Sequence, residues 1–94
     1  MPIRRLVLDM DKAISEPDLP QVARAIEEAP GVDAVNISVT EIDIETVGTD
    51  VTNAGDGIDV EAVIGAIERT GAVVHSVDQV VAGKYVLERS ERVR

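Results

Sequence analysis

Residues 18–39 read D-L-P-Q-V-A-R-A-I-E-E-A-P-G-V-D-A-V-N-I-S-V, a helix that stops on a glycine and leads into a strand. Asp18 is a good N-cap, Pro20 sits in the first turn, and Gln21 completes an Asp-x-x-Gln capping box. Leu19, Val22, Ala23 and Ile26 fall at i, i+3, i+4 and i+7, which gives one apolar stripe. Pro30-Gly31 ends the helix, and 32–39 alternates as a strand. The same grammar returns in 59–81, D-V-E-A-V-I-G-A-I-E-R-T-G-A-V-V-H-S-V-D-Q-V-V. Asp59 caps a second helix, Glu61 suits its N-terminal dipole, and Val60, Val63, Ile64 and Ile67 form its stripe. Gly71 closes it before a strand over 72–81.

A strand over 3–10, with Leu6, Leu8 and Met10 on one face, precedes the first helix. A third strand must lie between the two units, somewhere in 48–53. That segment is the weakest element, because apart from Val51 and its threonines it holds poor strand formers. Two β-α-β units in series joined by a hairpin predict the α+β, ferredoxin-like βαββαβ sandwich. Each helix has a single apolar stripe, so both must cover the same face of a four-stranded antiparallel sheet. The chain reads as one domain over 1–94, with a charged tail from about residue 88 that is expected to fray.

The most informative strand is the second. Val35, Ile37 and Val39 share one face, but Ile42 and Ile44 have the opposite parity. Either a bulge near Thr40 resets the register, or the strand runs past its own helices and meets another subunit. Unbroken alternation would place Glu41, Asp43 and Glu45 on one face. They would repel one another unless Arg4, Arg5, a neighbouring chain, bulk salt or a hard cation balanced them. Oxygen-only ligands suit Ca²⁺ or Mg²⁺, which makes this row a candidate metal site beside the plainer reading of a solvated acidic face.

Asp9, His75 and Asp78 form a second candidate cluster, for metal or for acid-base work, if His75 shares the face of Asp9. Ser76 adjoins His75, and strict alternation would point the two to opposite faces, against a Ser-His nucleophile. Asp50 to Glu61 places Asp, Gly and Glu at positions one, six and twelve of a calcium loop, but Thr52 and Ala54 stand where ligands are needed. It reads as a glycine-rich turn with a helix cap. The sequon Asn36-Ile37-Ser38 lies in a strand and reads as chance.

The 94 residues carry 18 acidic and 9 basic side chains, a formal net charge of -9, no cysteine and 1% aromatics. That balance opposes binding to nucleic acid or anionic membranes, and a lone tyrosine gives no stacking platform for RNA. Without cysteine there is no disulfide, thiolate metal site or thiol nucleophile. Gly55-Asp56-Gly57 sets a carboxylate where a phosphate loop needs its ligand. The apolar run of residues 6–8 is too short for a signal segment, so a cytoplasmic protein is expected. The acidity, with arginine favoured over lysine, fits a high-salt interior as well as it fits an ordinary acidic protein.

Ile3-Arg4-Arg5-Leu6-Val7-Leu8-Asp9, Gly31-Val32-Asp33-Ala34-Val35-Asn36-Ile37, the Glu41, Asp43, Glu45 row and His75-Ser76-Val77-Asp78-Gln79-Val80-Val81-Ala82-Gly83 resemble the archaeal domain-of-unknown-function family 211. The resemblance covers nearly the whole chain. It implies a ferredoxin-like single domain and a homo-oligomer, and no activity. Gln79 stands where that pattern leads one to expect an acid, and 51–54 is less apolar than the pattern. The residues point first to a non-enzymatic homo-oligomeric module whose acidic strand is a candidate site for Ca²⁺ or Mg²⁺. A small-molecule-sensing domain that binds between subunits is the alternative. An enzyme using Asp9, His75 and Asp78 comes third, since no cofactor motif or nucleophile accompanies them.

Overall fold

A computed structural model describes residues 1–89. The elements are β1 (Ile3–Ala13), α1 (Leu19–Glu27), β2 (Val32–Ile42), β3 (Thr46–Gly55), α2 (Val60–Arg69) and β4 (Val73–Ala82). All strand pairs are antiparallel, in the order β2-β3-β1-β4. This is the ferredoxin-like βαββαβ plan, with a sheet on one side and two helices on the other.

The caps form as the sequence requires. The Asp18 carboxylate accepts from the Gln21 N–H at 2.8 Å, and Asp59 accepts from Ala62 N–H at 3.1 Å. Gly31 leaves α1 at φ +86°, and a Cβ there would overlap the Gly57 carbonyl. A Cβ on Gly55 would in turn overlap the Gly31 carbonyl, so the base of the β2–β3 hairpin closes only with glycine at the end of β3 and just before β2. The apolar stripes meet the sheet. Leu6, Leu8, Met10, Val22, Ile26, Val51, Val63 and Ile67 are fully buried in one core.

The third strand is not the weak element its composition suggests. It runs ten residues and lies between β2 and β1, paired on both sides. Its polar residues work inward: Thr49 Oγ1 donates to Met10 O at 2.9 Å and Asn53 Nδ2 to Leu6 O at 3.1 Å, both fully buried. Two flanking ladders and these bonds outweigh its low strand propensity.

The strands outrun the helices. An eleven-residue strand such as β1 spans about 37 Å, whereas the nine residues of α1 span about 14 Å. The far end of the sheet, where β1 ends and the β2–β3 hairpin turns, therefore projects past the helix layer. The loop 14–18 folds over part of it. Lys12, 7% exposed, donates there to the carbonyls of Ala13 at 2.8 Å and Ile14 at 3.1 Å. At the hairpin tip Ile42 and Ile44 stay exposed.

Candidate functional site

The second strand carries the bulge that its parity switch requires. Val39 pairs with Thr49 and Glu41 with Gly48, so Thr40 is the extra residue. Val35, Ile37, Val39 and then Ile42 consequently all lie on the helix side, opposite Asn53, Val51, Thr49 and Val47. Only the first part of that row is covered. Val39 is 46% and Ile42 72% exposed, and Ile44 in the turn is 87% exposed.

The expected row of Glu41, Asp43 and Glu45 does not form. The strand ends at Ile42, so Asp43 and Glu45 belong to the three-residue turn before β3. The turn needs Asp43 for itself: its N–H donates to Thr46 O at 2.8 Å, and its Oδ1 accepts from Ile44 N–H at 2.8 Å. Glu41 alone stays on the strand, on the open face that the helices leave bare. Neither Arg4 nor Arg5 neutralises these groups: both lie at the start of β1, whereas the hairpin tip lies beside its end. Arg4 donates through Nε to Gly83 O at 2.6 Å and stands 3.8 Å from Asp56, while Arg5 is engaged by Glu88.

The other cluster does assemble, by a device the strict alternation of a strand does not contain. Leu8 pairs with Val77 and Val7 with Gln79, which leaves Asp78 as an extra residue; Asp9 pairs with Ser76 and Met10 with Val74, which leaves His75 as another. These two bulges bring His75, Ser76 and Asp78 to the open face with Asp9. His75 Nδ1 lies 3.7 Å from Asp9 Oδ2, with side-chain exposures of 68% and 36%. Alternation alone would set Ser76 and His75 apart; the bulge removes that separation, yet Ser76 Oγ donates to Asp78 Oδ1 at 2.7 Å instead. Among the described residues no three His, Asp or Glu side chains stand close enough to hold one metal ion.

One acidic partner was invisible in the sequence. Asp50 lies directly opposite Asp9, and Asp11 lies opposite Gly48 beside Glu41. The open face thus gathers Asp9, Asp11, Glu41, Asp50 and Asp78. Like charges paired across strands oppose the sheet that holds them. The segment 50–61 is a strand end, a turn and a helix cap rather than a calcium loop, since Asp50 is in β3 and Asp59 caps α2.

The chain leaves β4 at Gly83, φ +123°, and doubles back. Leu87, Glu88 and Arg89 line a shallow groove with Asp78, Gln79, Val80 and Val81. Arg5 Nη1 donates to both Glu88 carboxylate oxygens, at 2.7 and 3.0 Å. This charge-assisted contact through one nitrogen holds the Glu88 carboxyl below the usual carboxylate range and raises the Arg5 guanidinium. Glu88, expected in a fraying tail, is therefore tied down; residues 90–94 of that tail lie outside the described residues.

The model of the DUF211 family, described as an uncharacterized ArCR family, matches residues 4–94. The chain belongs to this family. An uncharacterized protein of Methanocaldococcus jannaschii, MJ0319, is 42% identical over 86 residues, covering 92% of this chain and 88% of the relative. The DUF211 assignment agrees with the resemblance drawn from the four sequence segments and fits the βαββαβ order. Neither comparison attaches an activity, a ligand or a partner to the fold. No helix among the described residues of this DUF211 chain is long and apolar enough to cross a membrane.

Proposed function

We propose that the protein is a self-associating module that joins copies of itself through the β2 edge. The observation that carries this is an eleven-residue edge strand with no proline and no lysine, whose exposed Val39 and Ile42 continue into the exposed Ile44 of the turn. Edge strands of proteins that stay apart are usually blunted by lysine, proline, bulges or a covering segment. The strand at the other edge, β4, has two bulges and the returning 87–89 segment beside it. The irregularities of β2, at Asp33 and Thr40, lie near its two ends and leave Ala34 to Val39 in regular register. A second copy that pairs along β2 would satisfy its free backbone groups and cover the apolar end.

The cation reading takes a changed form in this account. Glu41, Asp43 and Glu45 surround the same hairpin end, so Ca²⁺ or Mg²⁺ would bridge between copies rather than fill a site within one.

Light scattering tests the reading directly. Wild type is expected to show a mass that is a multiple of the 10.0 kDa chain, and Val39→Lys/Ile42→Lys is expected to return to one chain. A monomeric wild type at working concentration contradicts it. For the cation part, Ca²⁺ should raise the associated fraction of wild type but not of Glu41→Gln/Asp43→Asn; equal responses remove that part alone.

A further inference from the structure

Between Gly83 and Glu88 the chain is fixed at both ends and unpaired along its length. Gly83 N–H donates to Pro2 O at 2.8 Å, Arg4 Nε donates to Gly83 O at 2.6 Å, and Glu88 accepts from Arg5. Among the described residues, no backbone hydrogen bond joins 84–89 to β4 or to another element. The run Tyr85-Val86-Leu87 held by these anchors is apolar and faces water. Tyr85, the only aromatic residue, and Leu87 are among the most exposed apolar side chains, together with Ile42 and Ile44. A placed segment with free backbone groups and exposed apolar side chains is suited to add to the open edge of a sheet.

Lys84 and Arg89 bracket this run, and among the described residues neither has an ion-pair partner. Of the other described basic side chains, Arg4 and Arg5 are engaged, Lys12 is buried, and Arg24 and Arg69 lie on the helices. The end of β2 is the complement. It sets the exposed Val39, Ile42 and Ile44 among Glu41, Asp43 and Glu45, at an edge of the sheet. An apolar run between cations thus matches an apolar edge among carboxylates.

The two cannot meet within one chain. Arg5, which anchors the segment, stands about 23 Å along β1 from Lys12, which shares a rung with Val47 and Ile42. Across the sheet, β4 lies three strand spacings from β2, about 14 Å. Segment and edge therefore occupy opposite corners of the molecule.

We propose that segment 84–89 of one copy pairs with the β2 edge of the next. Tyr85 and Leu87 lie against Val39 and Ile42, and Lys84 and Arg89 beside Glu41, Asp43 and Glu45. The inference rests on self-association through β2 and names the part of the partner that β2 receives. The contact is head-to-tail: each copy gives one segment and accepts another. Two cations against three carboxylates leave negative charge over, so a bridging Ca²⁺ or Mg²⁺ is compatible with this contact.

Mixing two variants tests it by light scattering. Val39→Lys/Ile42→Lys loses the accepting edge and keeps the segment, while Tyr85→Ser/Leu87→Ser loses the segment and keeps the edge. All four positions are exposed, so both variants retain the core. Each alone is expected at the 10.0 kDa mass of one chain. Their equimolar mixture is expected at the mass of two chains and no more, since one intact edge and one intact segment remain. Lys84→Gln/Arg89→Gln is expected to weaken association about fivefold at low salt, a difference that 1 M KCl, roughly a 3 Å screening length, removes. Tyr85→Ser/Leu87→Ser at the mass of wild type would overturn the inference and leave β2 association standing, as a contact between two β2 edges. A mixture that stays at one chain would overturn it as well, and equal association of Lys84→Gln/Arg89→Gln and wild type at low salt would remove the charge pairing. A monomeric wild type would instead remove the β2 reading on which it rests.

Discussion

The two edges of the sheet are ten and eleven residues long and differ in how they are finished. At β4 two extra residues, His75 and Asp78, break the ladder within the strand, a third shift falls at Arg4 of β1, and the chain doubles back beside it to fasten Glu88 onto Arg5. At β2 the shifts at Asp33 and Thr40 lie near the two ends, no segment doubles back beside the strand, and it runs out into an exposed apolar tip over an acidic turn. Both edges come from the same β-α-β grammar, so the difference does not arise from the fold. It lies in what was added to it: one edge carries the devices that keep strands from pairing with strangers, and the other carries few.

The comparison breaks first at the core. If the hairpin tip serves association and not folding, truncations along one side of the sheet should fall off sharply towards it. Val51→Ala, fully buried, should lose about 2.5 kcal/mol, while Ile42→Ala should stay within about 0.5 kcal/mol in urea unfolding of the dissociated chain. Comparable losses would mean that the tip is part of the core. Next comes the placement of β2 itself. Gly55→Ala forces its Cβ into the Gly31 carbonyl and should cost about 2 kcal/mol in the same measurement. A neutral substitution would show that the hairpin base can slide.

Charge sharpens the contrast further. Asp50→Asn relieves the direct opposition to Asp9 and should raise stability by about 0.5 kcal/mol at low salt. The gain should shrink as KCl is added. Asp78→Asn, on the finished side of the sheet, should gain less. The smallest effect concerns the Arg5–Glu88 bond. Its carboxyl is depressed in the folded protein, so its contribution is present above the ordinary value near ~4.3 and is lost as pH falls through the lower folded value. The difference between wild type and Glu88→Gln should therefore be visible at neutral pH and vanish in acid.

Most of the architecture was legible because the two helices declare themselves through caps, stripes and terminal glycines. The Thr40 bulge was legible too, since apolar residues step by three from Val39 to Ile42 where a strand steps by two. The same signal was present in Val74, Val77 and Val80, which face Met10, Leu8 and Leu6. Each step of three against a step of two hides one extra residue, and those extras are His75 and Asp78. Asp50 opposite Asp9 was not legible at all, because register between distant strands depends on pairing that no local pattern records. The same lack of register let Asp43 and Glu45 be read as strand when the turn had already begun.

The most direct test sets the two edges against each other by light scattering on matched variants. Val39→Lys/Ile42→Lys and Val77→Lys/Val80→Lys each place two charges on exposed apolar positions, one pair per edge. The account predicts that the β2 pair falls to the 10.0 kDa mass of a single chain while the β4 pair keeps the mass of wild type. Dissociation by the β4 pair with the β2 pair still assembled would contradict it.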